Sequence, residues 1–173
     1  MKNYNTRIIA TLSLLTAMHI VVSFIYIPIL DANRLMFTFF IKAIVGVIAS
    51  PAFAILFGLT SDILGHIIHP TGSYFIGYTL TSIFSVLIFS IGFYKKNITV
   101  FRIIIVRTLV VVICNILLNS LWASILLDND ILYFMSISAI KNLVLLPIEI
   151  FVLYIMFKLL LPFLKKYNFS KQN

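Results

Sequence analysis

Hydrophobic residues run along this chain in long blocks that polar residues interrupt only at intervals. With His counted as neutral, no charge falls between Ile8 and Leu30 (23 residues), Ala43 and Ser61 (19), Ile63 and Tyr94 (32) or Thr108 and Leu127 (20). A helix of about 20 apolar residues crosses the ~30 Å hydrocarbon core of a bilayer, so these blocks predict membrane-spanning helices. Turn and charge signals divide the chain into six: Ile8 to Leu30, Arg34 to Ser50, Ala52 to Gly65, Tyr74 to Tyr94, Val100 to Leu127 and Ser136 to Leu164. The divisions fall at Asp31-Ala-Asn33, at Pro51, at His66 to Ser73 with its Pro70 and Gly72, at Lys95-Lys96-Asn97 and at Asp128-Asn129-Asp130. Residues of these types end helices or turn the chain. Pro147 marks a candidate kink in the last helix. No linker, repeat or low-complexity stretch is visible, so the expectation is one all-α domain over residues 1–173, an integral membrane bundle of six transmembrane helices.

Composition agrees with the pattern. Apolar residues make up 62% of the chain, charged residues 10%, and the mean hydropathy is +1.13; soluble domains carry about 25% charged residues. The first block follows Lys2 and Arg7 as a signal peptide would, but its apolar part is too long for one and no small-residue cleavage site follows, so it reads as a retained helix. The net charge of +8 resides largely in Lys2, Arg7, Lys95, Lys96, Arg102, Lys165, Lys166 and Lys171. Those positions flank one side of a six-span topology and predict cytoplasmic termini. Asp31, Arg34, the His66 to Ser73 loop, Asp128 and Asp130 fall on the other side. Basic residues so placed orient a protein in a lipid bilayer and do not form a nucleic-acid surface. The single cysteine, Cys114, lies among Val and Ile as packing, with no disulfide framework.

Polar residues inside apolar spans are costly unless something satisfies them, which makes them candidates for function. On the fifth helix, Arg107, Asn115, Asn119 and Trp122 share an arc of roughly 120° at about 100° per residue. Near the outer end, an amide there can hydrogen-bond a ligand edge and an indole can stack on it; the alternative is that Asn bonds a neighbouring helix and Trp marks the interface. Arg107 lies deeper, and Glu149 on helix six is its natural partner in a structural ion pair. Asn142 shares a stripe with Glu149. Lys141 and Arg34 either snorkel to the surface or meet an anionic ligand group, while Lys42 has no evident partner. Ala10, Ser13 and Ala17 on helix one let another helix approach closely. His66 and His69 lack a third ligand, so no metal is expected. His19 reads as a core or interface residue.

No phosphate-binding Gly-x-x-x-x-Gly-Lys-Ser/Thr loop, paired His-Glu metal motif, nucleophile elbow or carboxylate pair at catalytic spacing occurs, so neither ATP hydrolysis by this chain nor another enzyme activity is expected. No cofactor is implied. The absence of an inverted repeat also departs from the usual secondary-transporter plan. A compact membrane binder that draws its energy from other subunits fits these absences.

The chain resembles the substrate-binding subunits (S components) of energy-coupling factor vitamin transporters, in particular the folate-specific branch. The resemblance extends from Ser13-Leu-Leu-Thr-Ala17 to Lys141-Asn-Leu-Val-Leu-Leu-Pro-Ile-Glu149. It is most specific at Asp62-Ile-Leu-Gly65, Pro70-Thr-Gly72, Tyr74-Phe75 with Gly77 and Thr79-Leu80, and Asn115-Ile-Leu-Leu-Asn-Ser-Leu-Trp122. Departures are Ser13 in place of Ala, Phe24 where relatives often carry Arg, and Ile41-Lys42 where Pro is frequent. The resemblance implies capture of folate outside a bacterial plasma membrane and delivery by reorientation on a coupling (T) subunit with two ATPases. It implies contact with that coupling subunit at Ala10, Ser13 and Ala17, and gates over the vitamin at Asp31 to Arg34 and at His66 to Ser73, including His69, Pro70 and Gly72. Folate joins a flat, donor-rich pterin to an anionic glutamate tail. Asn115, Asn119, Trp122 and Tyr74 are therefore expected near the ring, and Arg34 and Lys141 near the tail, with Asn142 beside them. An S component for another vitamin or a nucleobase-like molecule, or a non-transport assembly subunit, are the alternative readings.

Overall fold

The structure, a computed structural model, describes residues 2–30, 33–70 and 74–166. It divides into two compact units, residues 1–94 and 95–173. In the first unit, α1 (Lys2–Ser23) is followed by a hairpin of β1 (Tyr26–Leu30) and β2 (Asn33–Met36), then α2 (Phe39–Ile48), α3 (Pro51–Ile68) and α4 (Ile76–Phe93). The second unit holds α5 (Val100–Leu127) and α6 (Ile131–Lys166).

The helical prediction is corrected at its first turn. The first helix ends at Ser23 instead of Leu30 and the second begins at Phe39 instead of Arg34, because residues 26–30 and 33–36 pair as antiparallel strands. Pro28 supplies the reason. Inside a helix it would remove a backbone hydrogen bond and clash with the preceding turn, whereas in a two-stranded hairpin it stands opposite Arg34 at little cost. Other limits move as well: α1 starts at Lys2, α3 continues past Gly65 to Ile68, α4 starts at Ile76, and α6 starts at Ile131. Helix α6 runs through both Pro147 and Pro162. Among the described residues, five helices are long and apolar enough to cross a membrane, and α2 is a shorter apolar helix; its 10 residues rise about 15 Å. The chain is a multi-pass membrane protein.

Local signals set the helix ends. Ser50 and Pro51 open α3 in the order that suits an N-cap and a first helical residue, since proline's missing N–H is one a helix start leaves unpaired. The Thr99 hydroxyl caps α5 by accepting from the Arg102 N–H at 3.3 Å. Asp128 closes α5 in the left-handed conformation at φ 50.

The first unit packs around α2 and α4. Ile41, Ala43, Val45, Ile48 and Ala49 are buried together with Val86, Phe89 and Phe93. The helices approach through glycine. A Cβ on Gly46 would stand 2.6 Å from Phe89 Cβ and 2.7 Å from its carbonyl carbon, and one on Gly58 would stand 2.8 Å from Ile83 Cα. Where α2 ends, the Ala49 carbonyl has lost its helical partner, and the buried Ser90 hydroxyl donates to it at 2.8 Å. Ser90→Ala is expected to strand that carbonyl and cost about 1–2 kcal/mol, read as a lower melting temperature of the purified protein; an unchanged melting temperature would contradict the assignment.

Candidate functional site

In the second unit, α5 departs from α-helical geometry between Val111 and Leu118, a π-helical segment in which the Asn119 N–H reaches back to the Cys114 carbonyl. This i→i+5 bond spans one residue more than the α-helical bond, and such segments recur at functional sites. They also change which side chains align. Sequence spacing at 100° per residue places Asn115 and Asn119 on a common face. In the structure Ser120, five residues on, joins Asn115 in bonding α6, and Asn119 is half-buried.

Three polar pairs then connect α5 to α6 in antiparallel order. The Ser120 and Ser138 hydroxyls meet at 3.3 Å. Asn115 Nδ2 donates to Asn142 Oδ1 at 3.1 Å, and Asn142 Nδ2 donates to the Ser138 carbonyl at 2.7 Å. Nearest the start of α5, Arg107 forms a two-point pair with Glu149, Nη2 to Oε1 at 2.7 Å and Nε to Oε2 at 3.0 Å. Ser138, Asn142 and Glu149 lie four and seven residues apart, so one stripe of α6 serves all three pairs. Asn115 and Asn142 are thus committed at least in part to each other, the neighbouring-helix role open to a polar residue in a span. Trp122 and Lys141 are half-buried.

In the first unit, a hydrogen-bonded chain ties the C-terminal part of α3 to the start of α4. Thr79 Oγ1 donates to Asp62 Oδ2 at 2.7 Å and lies 2.8 Å from the Tyr74 hydroxyl. A threonine hydroxyl has one hydrogen, so Tyr74 must be the donor to Thr79. Tyr74 is 48% exposed, and its ring lies 5.2 Å from that of His66. At the end of α3, the His69 ring sits 4.6 Å from Phe24 and 6.3 Å from Tyr26, which brings the connection after α3 against the one after α1. Pro70 is exposed beside it. Asp31 and Gly72, both expected in the gates, lie outside the described residues, as does the side chain of Arg34, whose backbone stands in β2. Asp62 and Thr79 were visible in the sequence only as parts of motifs. Their connection had a local signal, a lone carboxylate in an apolar helix facing a hydroxyl-rich one, but the partner 17 residues away was not legible.

Along α1, Ala10, Ser13 and Ala17 are exposed, whereas Ile8, Leu12, Leu15, Thr16, His19 and Ile20 are buried. The small-residue face is accordingly the one α1 leaves uncovered.

In each unit polar side chains meet inside otherwise apolar helices, and α1 leaves a row of small residues exposed. The chain belongs to the family of ECF transporter substrate-specific components, whose model matches residues 7–160. It is 31% identical over 121 residues to the folate transporter FolT of Clostridium novyi, covering 70% of each chain. To FolT of Leuconostoc mesenteroides it is 29% identical over 156 residues, covering 87% of this chain and 84% of the relative. A crystal structure of FolT bound with folic acid is similar in fold, with a TM-score of 0.80 at 28% identity over 86% of this chain and 90% of the other. The family is one of transporter subunits and not of enzymes.

Proposed function

We propose that this protein captures folate on the outer side of a bacterial plasma membrane and delivers it as the substrate-binding subunit of an ECF importer. The observation that carries this reading is the likeness to FolT bound with folic acid over most of both chains. The two relatives named folate transporters support it from the sequence side. The family model runs from residue 7 to residue 160, through the limit between the two compact units, which favours their working as a single domain. Six spans with cytoplasmic termini follow from the placement of Lys and Arg.

The donor-rich pterin is assigned to Tyr74, Asn115, Asn119 and Trp122, and the glutamate tail to Arg34 and Lys141, with Asn142 bracing Asn115. The connections containing Asp31 and Arg34, and His69, Pro70 and Gly72, serve as gates. The exposed Ala10, Ser13 and Ala17 on α1 receive the coupling T subunit, which with two ATPases supplies the energy this chain has no motif to extract. Small side chains allow the backbones of two membrane helices to approach closely enough for dense packing.

Titration of the purified protein with folic acid tests the reading, alongside mass identification of any ligand carried from the native host. Saturable binding of folic acid is expected. Trp122→Ala and Asn119→Ala are each expected to weaken it roughly 10- to 100-fold, as lost stacking and an unpaired ligand edge would. Full affinity in both variants would remove those residues from the site, and wild-type protein that binds no folate would overturn the reading itself. Recovery of coupling and ATPase subunits with the tagged protein tests the partners.

A further inference from the structure

Of the five acidic residues in the chain, two lie within the membrane-spanning helices, Asp62 in α3 and Glu149 in α6. Their surroundings differ. Glu149 has a guanidinium at two-point hydrogen-bond distance. Asp62 is half-buried, and among the described residues its hydrogen bonding consists of the Thr79 hydroxyl on Oδ2. A carboxylate has about four acceptor positions, and one neutral hydroxyl compensates little of the cost of drawing it into an apolar helix. Were Asp62 only a tie between α3 and α4, a neutral side chain would make the same bond at lower cost. Tyr74 donates to Thr79, and Thr79 donates to Oδ2, so the relay fixes the carboxylate's rotamer and leaves Oδ1 available.

We infer that Asp62 is a specificity-determining residue whose carboxylate, through Oδ1 and a remaining lone pair of Oδ2, accepts from paired N–H donors of a flat heterocycle, with Thr79 and Tyr74 as the residues that position it. The inference rests on the folate reading for the identity of the ring. A pterin carries a 2-amino group beside a ring N–H, two donors pointing the same way, and a carboxylate is the side chain that takes such an edge without a competing donor of its own. Tyr74, at the head of the relay, is half-exposed with the His66 ring against its own, so the relay reaches from Asp62 to the protein surface.

The test uses the full-length purified protein and two ligands, folic acid and its analogue lacking the 2-amino group. Asp62→Asn can keep its amide oxygen toward Thr79 while turning an NH2 group to the ligand, so the tie is retained and the recognising atom is inverted. Wild-type protein is expected to prefer folic acid to the analogue roughly 10- to 100-fold, and D62N to lose most of that preference while losing affinity for folic acid by a similar factor. Thr79→Val removes the positioning bond but keeps the carboxylate, and is expected to weaken folic acid several-fold with the preference still evident. A D62N protein that binds folic acid as the wild type does, or that weakens both ligands equally and leaves the preference unchanged, overturns the inference. Should D62N fail to fold, absence of any preference in the wild type overturns it, and a preference retained in T79V supports it. Wild-type protein that binds neither ligand is the separate failure of the folate reading.

Discussion

Glu149→Ala is expected to produce the largest loss of stability of any single substitution on α6. The Arg107 guanidinium and the Glu149 carboxylate are 4% and 9% exposed at the side chain and meet at 2.7 and 3.0 Å. Removing one partner takes the opposite charge away from a buried one, a change that costs about 3–5 kcal/mol in protein interiors. Snorkelling relieves little, because the group is turned toward another helix of its own unit and not toward the lipid headgroups. The reciprocal Arg107→Met leaves an isolated carboxylate and is expected to be similarly damaging. Replacing both, Arg107→Met with Glu149→Leu, is expected to recover most of the loss, since an apolar pair of comparable volume avoids the desolvation that the ion pair must overcome. Melting temperatures of the four proteins complete the cycle. Single variants that melt with the wild type, or a double variant as unstable as the sum of the singles, would contradict a paired role.

Gly46→Leu is expected to separate α2 from α4. The first atom added at this position would already lie 2.6 Å from Phe89 Cβ and 2.7 to 2.9 Å from its backbone carbonyl. A flexible neighbour can swing away, but backbone cannot, so the helices must part. Phe89 is fully buried and stacks on Phe93 with ring centroids 5.8 Å apart, so the displacement also loosens this core. Overpacking of this sort costs about 1–3 kcal/mol or more, and in this position the expected result is poor yield of monodisperse protein on size-exclusion chromatography. Gly65→Leu is the matched control, because nothing lies within 4 Å of a Cβ there. Equal behaviour of the two variants would show that close approach at Gly46 is unimportant.

Much of the fold was legible because lipid makes the sequence blunt. A span must be predominantly apolar, so long apolar blocks divided by turn signals mark most of the helices. Arg107 and Glu149 are readable as partners for the same reason: charges in such blocks have few alternatives. The hairpin was hidden by its apolar residues, since Tyr26, Ile27, Ile29 and Leu30 suit a strand or a span equally well, and only Pro28 favoured the strand. The relay from Tyr74 through Thr79 to Asp62 was not readable because it depends on how two helices align across a connection. For α5 the difficulty was different. Counting 100° per residue assumes one helix geometry throughout, and nothing in Val111-Val-Ile-Cys-Asn-Ile-Leu-Leu118 announces a wider turn. That assumption left out Ser120, which the structure brings against Ser138 of α6.

The widened turn in α5 has a bearing on how this chain is matched, residue for residue, to its relatives. A π segment is in effect an α-helix that has accommodated about one surplus residue. A relative with an unbroken α-helix would need one position fewer between Arg107 and Trp122 to present the same groups in the same directions. Gapless numerical correspondence across Cys114 would then equate side chains that point different ways, and roles transferred to Asn119 or Ser120 by counting alone would be exchanged.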